Sequence, residues 1–378
     1  MMRILFVGDA SNLHNTLACA LRRMGHEVTV VSDGSRWMDT NRDINLTRGP
    51  GLSGAVRYVC DVMRTLPRMR GYDVVHLVNP IFLSLRPGKV RLVFDYLRKH
   101  NRSVFLSALG SDYDYIKACM EGNVLKYSEY MLGHTPTKYM ESEEAAEERC
   151  NSWLTDTMLK HQRYVMQRID GAVACLYEYY HVNEAIIPEK LAYAGIPIDT
   201  QSIKPRYIEK EPEKVNFFIG IQRGRSIYKG TDKLLEAARR VVAKYPDRST
   251  LRVVESVPYK EYLQQMSQSH VMLDQLYSYT PATNALIAMA QGMVAVSGAE
   301  PEYYDFIGET ECRPIINVSP IVEGDIDAKL EWIVQNKHQL PRLSRESREF
   351  VVRHNDYMVV AQRHVEFWNK ILKAKYET

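Results

Sequence analysis

The sequence predicts a two-domain α/β protein in which each domain is a doubly wound, mostly parallel sheet. Three observations carry this. At 378 residues the chain is longer than one hydrophobic core usually serves. Short apolar runs alternate with helical patterns, as a parallel sheet with crossover helices requires. The alternation occurs twice, on either side of a polar, charged, proline-containing stretch at 199–215 (it includes IKPRYIEKEPEKV) with linker composition.

The elements follow in order. Residues 3–7 (RILFV) form an unbroken apolar run, as expected of a strand buried on both faces. A helical pattern spans 15–24 and stops at Gly25, and a second strand is expected at 27–32. Further strands are expected at 74–78, 104–109 and 172–175. Residues 113–165 break the rhythm. They are rich in Tyr and Glu, carry an acidic run at 141–148 that a solvated face would explain, and contain a helical stretch at 153–168. This region is expected to be a helical insertion lining one wall of a cleft. The second alternation has a strand at 216–220, a helix at 232–244 and a strand at 251–254. It continues with a strand at 271–276, a helix at 282–291 and a strand at 293–296. Thr280 before Pro281 reads as an N-cap followed by proline at the first helical position, and Gly292 as the stop. Residues 356–373 form one amphipathic helix carrying Val359, Val360, Val365, Phe367, Trp368 and Leu372. The expected domains are therefore 1–198 with the insertion 113–165, then 199–355, then a C-terminal helix in 356–378.

Composition is that of an ordinary globular protein, 45% hydrophobic and 25% charged. No window is long and apolar enough to span a bilayer, and no three-part signal peptide precedes the first strand. Six cysteines (Cys19, Cys60, Cys119, Cys150, Cys175, Cys312) include no CxxC pair, which favours reduced thiols in a cytoplasm and argues against a zinc site. The net charge of +3 is unevenly spread: residues 1–110 carry 16 Lys+Arg against 8 Asp+Glu, and the remainder 33 against 38. A basic N-terminal half suits an acidic partner such as a membrane surface, a phospholipid-linked acceptor or nucleic acid, and equally suits a merely solvated surface. Arg86, Lys89, Arg91, Arg98, Lys99 and Arg102 flank an apolar run at 90–97 that would suit a membrane face.

Two stretches have the chemistry of anion sites. The helix expected at 282–291 starts at the carboxyl end of a buried strand, where its N–H groups and dipole favour a phosphate. Thr280, Thr283 and Asn284 are the contact candidates there. In GIQRGRSIYKG (220–230) a strand ends, an Arg- and Gly-containing loop follows, and Lys229-Gly230 precede a helix. Arginine suits forked phosphate contacts and lysine a point contact, which makes Arg223, Arg225 and Lys229 candidates. The first strand ends GDASNLH (8–14), which is not GxGxxG, and this weighs against a nicotinamide-dependent enzyme. His14 and His76 are further candidates, although a lone histidine on an apolar strand is more often a core residue.

These stretches together resemble GT-B glycosyltransferases, closest to the family 4-like members. Leu286, Ala288, Met289, Ala290 and Gly292 match the family's Leu-Glu-Ala-Met-Ala-x-Gly motif. Its two glutamates, eight positions apart, fall on Tyr279 and Ile287 and are both missing. YDVVHLVNPIF (72–82) resembles the family's Asp-Val-Val-His strand end, with Val78 where a second histidine often stands. SALGSDYDY (107–115) resembles its His-Gly-Ser-Asp loop, with Leu109 replacing the histidine. GAEPE (298–302) resembles Gly-Gly-x-Pro-Glu, and LAYAGIPIDTQSIKP (191–205) the crossover into the second domain. The matches run through most of the chain.

The resemblance implies a GT-B fold: two Rossmann-like domains facing across a cleft, with the C-terminal helix crossing back to brace the first. It implies transfer of a sugar from a nucleotide-sugar donor to a saccharide or lipid-linked acceptor, with retention, in surface-polysaccharide assembly. Lys229 and Arg223, with Arg225 in reserve, would receive the charge on the departing diphosphate. Gly8 would let backbone approach the transferred sugar or phosphate, and Asn79, contacting a sugar hydroxyl, and Asp112 would be catalytic residues together with Lys229 and Arg223, while His14 would lie on the acceptor side. Glu302 would contact sugar or ribose hydroxyls. No metal, separate cofactor or nucleic-acid partner is expected. The expected location is cytoplasmic, with weak peripheral contact at the inner membrane face. The alternatives are a sugar-nucleotide epimerase of the same fold and a catalytically silent glycan- or partner-binding protein.

Overall fold

The structure, a computed structural model, describes all residues except 36, 37, 223, 377 and 378, and for Tyr259 the backbone only. In chain order its strands are β1 Arg3–Val7, β2 Glu27–Ser32, β3 Ile44–Asn45, β4 Val74–Leu77, β5 Val104–Ala108, β6 Met131–Leu132, β7 Thr135–Pro136, β8 Gly171–Ala174, β9 Leu191–Tyr193, β10 Val215–Ile221, β11 Ser249–Glu255, β12 Val271–Leu273, β13 Val294–Ser297 and β14 Ile316–Asn317. They form a seven-stranded sheet in the order β3-β2-β1-β4-β5-β8-β9, a five-stranded sheet in the order β11-β10-β12-β13-β14, and the small hairpin β6-β7. Every ladder in the two large sheets is parallel. The chain divides into two compact units. One comprises Met1–Lys117, Glu148–Pro197 and Tyr357–Thr378, the other Ala118–Glu147 and Ile198–Asp356.

In the first unit β1 lies between β2 and β4, with Ile4 facing Val28 and Val74 in register. A strand with a neighbour on each side and helices on both faces has no solvated side, which is why RILFV lacks alternation. The helix Leu13–Arg23 buries Leu17, Ala18, Ala20 and Leu21, and Gly25 leaves it in the left-handed region at φ +85°. The C-terminal helix Tyr357–Tyr376 belongs to this unit. Its Val360, Phe367, Trp368 and Leu372 share one core with Ile4, Phe6, Leu17, Leu21 and Phe105.

In the second unit the helices Thr231–Lys244, Asp325–Gln335 and Leu340–His354 contribute Leu234, Ala238, Val241, Leu330, Ile333 and Leu343 to the core against Val215, Phe217, Leu273 and Val296.

Three expectations change. The region 113–165 is not one insertion of the first domain. The helix Asp156–Arg168 packs in the first unit, whereas Ala118–Glu147, containing the hairpin, packs in the second. The linker-like stretch after Pro197 is ordered on the second unit. Arg348 donates to the carbonyls of Thr200 (2.7 Å) and Ile203 (3.2 Å), Ser344 accepts from the Ile208 N–H (3.0 Å), and Ile208 is buried. Polar composition here reflects backbone groups satisfied by side chains rather than a free tether. Finally, Thr280 is not an N-cap. The helix is Thr283–Ala290, entered from extended Ala282 without a side-chain cap, and Thr280 is buried.

Candidate functional site

In the second unit the candidate residues lie beyond the carboxyl ends of three adjacent strands, β10, β12 and β13, where open α/β sheets bind ligands. After β10 the chain makes a four-residue helical turn, Ser226–Lys229, and reverses at Gly230 with φ +69°. A Cβ at Gly230 would stand 2.6 Å from Leu276 Cβ, so the glycine is dictated by sterics as well as conformation. The Leu276 N–H donates to the Lys229 carbonyl at 2.9 Å and ties this turn to the loop after β12. β12 ends at Leu273, short of the expected 276.

Lys229 is half-buried, and its ammonium lies in the fields of Asp274 and Arg225. Burial pushes its pKa down, Arg225 adds to this, and Asp274 opposes it. Asp274, at the end of β12, is buried, and burial pushes its pKa up against the pull of Lys229. Its carboxylate accepts from the Ser297 hydroxyl (3.3 Å) and from the Ala285 N–H in the first turn of Thr283–Ala290. The protein's own carboxylate thus takes one helix-start N–H, which is why the helix needs no side-chain cap. Thr283 and Asn284 begin the helix and are half-buried. Arg225 is exposed, with its guanidinium 4.8 Å from the Tyr228 ring centre, and Tyr228 packs edge-on against Tyr139. Arg223, the first-choice arginine, lies outside the described residues.

The loop after β13 is where the expectations depart furthest. Glu302 pairs with Lys126 at 2.5 Å, so it is committed to the hairpin segment in this structure. The buried carboxylate here is Glu300. It accepts from the Tyr127 hydroxyl (2.9 Å) and Asn317 Nδ2 (3.1 Å), and its N–H donates to the Tyr279 carbonyl (3.1 Å). Tyr279, at the first missing glutamate position, is buried and stacks on Tyr127 with ring centres 4.6 Å apart, and its hydroxyl accepts from the Tyr127 N–H (3.0 Å). Ile287, at the second, packs against an apolar cluster of Phe218, Val254, Met266 and Met272. The Tyr127 hydroxyl also lies 3.1 Å from the Ser278 carbonyl. Gly298 allows this packing, since a Cβ there would lie 1.7 Å from that carbonyl. Neither Lys126 nor Tyr127 stood out in the sequence beyond the general Tyr richness of the region.

In the first unit Gly8, Asn79 and Asp112 follow the adjacent strands β1, β4 and β5. Gly8 has φ +81°, and a Cβ would lie 2.3 Å from Val78 Cγ1. Asn79 Oδ1 accepts from the Ile81 N–H (2.8 Å), shaping the turn after β4. Asp112 caps the helix Tyr113–Glu121, accepting from the Tyr115 N–H (2.8 Å), and burial pushes its pKa up to about 6. Asp114, the other half of the Asp-Tyr-Asp triplet, makes a forked pair with Arg163 (2.8 and 2.7 Å).

His14 and His76 are core residues. His14 Nδ1 meets the Gly8 carbonyl (2.7 Å), and Nε2 of both histidines meets the Ser107 hydroxyl (3.0 and 2.9 Å). A cavity of about 320 Å³ lined by Asn216, Thr250, Arg252 and Gln268 opens at the start of β10, the edge opposite the candidate residues.

No family model matches the chain, and no curated protein matches it. Solved structures do. Sucrose-phosphate synthase from Thermosynechococcus elongatus superposes with a TM-score of 0.63 at 14% identity, covering 99% of this chain and 100% of that one. HepE from Anabaena, in complex with UDP and glucose, gives 0.60 at 12% identity, covering 98% and 100%. A putative UDP-N-acetylglucosamine 2-epimerase from Listeria monocytogenes gives 0.56 at 11% identity, covering 100% and 97%. At these identities the likeness is one of fold. The fold class is the GT-B one the sequence predicts, with two parallel sheets of seven and five strands.

Proposed function

We propose that the chain is a glycosyltransferase that moves a sugar from a nucleotide-sugar donor to a saccharide or lipid-linked acceptor. One observation carries the reading: a half-buried lysine, Lys229, is fixed by backbone geometry beside a helix start at the carboxyl ends of adjacent strands. A cation held there in advance stabilises charge as it develops on a departing diphosphate, with no reorganisation at the moment of reaction. Arg225 adds positive potential, and the first-turn N–H groups of Thr283 and Asn284 add donors. Asp274 opposes the lowering of the Lys229 pKa by burial. The proposed reaction needs no metal and proceeds with retention, the leaving diphosphate accepting the acceptor's proton. Its place is at a membrane-facing step of surface-polysaccharide assembly. The likeness to a HepE structure holding UDP and glucose supports the donor class.

A second reading, a glycan- or partner-binding protein without turnover, is favoured by the Tyr127–Tyr279 stack at the position of a missing glutamate. Assay of UDP-, GDP- and ADP-sugars for release of nucleoside diphosphate separates the two. A transferase releases it, a binder does not, and an epimerase converts the sugar with the nucleotide attached. Lys229→Ala is expected to slow release about 100-fold with an unchanged melting temperature. Wild-type turnover in that variant would remove the diphosphate assignment.

A further inference from the structure

The helix Gly51–Thr65 of the first unit displays an apolar stripe on its outer side. It packs inward through Tyr58, Val62 and Thr65. Leu52, Val56 and Met63, spaced i, i+4 and i+11, are 82%, 59% and 61% exposed, and half-buried Val59 at i+7 completes the row. At 100° per residue these four fall within about 60° of one another, so they form one continuous ridge. Isolated exposed apolar side chains are normal, but a ridge of them on one helix marks an interaction surface.

Charge decides the partner. Arg57 and Arg64 run beside the ridge and are exposed, as are Arg48, Arg68 and Arg70 beyond the helix ends. The helix's lone acid, Asp61, lies between Arg57 (3.9 Å) and Arg64 (3.4 Å). Residues 41–110 carry 12 Lys+Arg against 4 Asp+Glu, the whole basic excess of the N-terminal part. A second copy of this chain would bring like charge to like charge. An anionic bilayer surface offers both an apolar layer for the ridge and phosphates for the arginines.

We propose that Gly51–Thr65 docks this protein on an anionic membrane, lying in the interfacial plane with Leu52, Val56, Val59 and Met63 inserted. The helix Pro87–His100, which carries the basic run noted in the sequence, buries Val90, Val93, Phe94 and Leu97 in its own unit and leaves only Leu92 exposed in its apolar run, at 71%. It contributes charge rather than an insertion face. This inference does not depend on the donor-site reading.

The test is co-sedimentation of the full chain with phosphatidylcholine vesicles, with and without phosphatidylglycerol. Binding is expected only to the anionic vesicles and is expected to weaken with salt. Leu52→Glu/Met63→Glu should lower the partition coefficient at least about 100-fold, and Arg57→Gln about fivefold. Leu92→Gln should bind like wild type, and all variants should keep the wild-type melting temperature because the positions are exposed. Equal binding by the double variant, or equal binding to neutral vesicles, would overturn the proposal. So would a dimer in light scattering that the double variant dissolves while no vesicle binds.

Discussion

Acidification from pH 7 to pH 5 should destabilise the first unit through three histidines buried in its core. His14, His76 and His364 are buried around Trp368, and His76 has ring centres 5.5 Å from His14 and 5.6 Å from both His364 and Trp368. Their tautomers follow from their partners. His14 Nδ1–H donates to the Gly8 carbonyl, so Nε2 accepts from Ser107, and Ser107 in turn accepts from His76 Nε2–H. His76 Nδ1 is left as a lone pair without a partner, as is the Trp368 indole N–H as a donor. No position in this chain of bonds welcomes another proton.

Burial pushes His14 and His364 down from 6.5 to about 4, and drives His76 well below its usual range. A depressed histidine pKa contributes stability above the unfolded value of 6.5, and that stability is lost as pH falls from there toward the folded value. At pH 5 the unfolded chain binds a proton at each site and the folded one does not, over about 1.5 units at about 1.4 kcal/mol each. The loss is about 2 kcal/mol per residue, or about 4 kcal/mol for His14 and His364 together, and His76 adds to it. Asp9, whose pKa burial also raises, and Asp112 act in the opposite direction. With its folded pKa raised to about 6, Asp112 returns about 1.4 kcal/mol at pH 5. The net loss of about 2.5 kcal/mol is a large fraction of a typical domain's stability. Urea titrations at pH 7 and pH 5, followed by tryptophan fluorescence, measure it. His364→Leu should remove about 2 kcal/mol of the pH dependence. A first unit equally stable at the two pH values would refute the assignment of these imidazoles as neutral and uncompensated.

Two further substitutions test the loop packing in the second unit. Tyr127→Phe keeps the stack on Tyr279 but removes the hydroxyl from the buried Glu300 carboxylate, and should cost about 1–3 kcal/mol in urea denaturation. Tyr127→Ala, which also removes the ring, should cost more, about 3–5 kcal/mol. Identical midpoints for wild type and Tyr127→Phe would show that the bond to Glu300 contributes nothing. Gly298→Ala places a methyl 1.7 Å from the Ser278 carbonyl, so the two loops must separate. Loss of at least about 2 kcal/mol is expected, together with faster amide exchange at Tyr279 and Glu300. Unchanged exchange there would mean the loops are not packed as described.

The strands were legible because they are buried on both faces. RILFV, VVHL and VAVS carry no alternation to misread. The two-residue strands β3 and β14 were not legible, because two residues establish no period. The Lys229-Gly230 turn could be read locally, since both its conformation and its clearance from Leu276 demand glycine at one position.

The other side of the site could not be read that way. Tyr127 is separated in sequence by 152 residues from Tyr279 and by 173 from Glu300, and no local spacing links a hairpin to a loop so far along the chain. Motif matching therefore registers only a loss, a tyrosine at 279 where the resembling family has a glutamate. The fold shows what surrounds that tyrosine. Its carbonyl accepts from the N–H of Glu300, whose buried carboxylate is held by Tyr127 and Asn317. The loop after β12 has not lost a neighbouring acid; the acid comes from the next strand's loop instead. Holding it buried requires the hairpin's phenol as a donor, because a buried carboxylate without donors is costly. The tyrosine at 279, the acid at 300 and the hairpin segment that carries Tyr127 therefore stand or fall together as one structural unit.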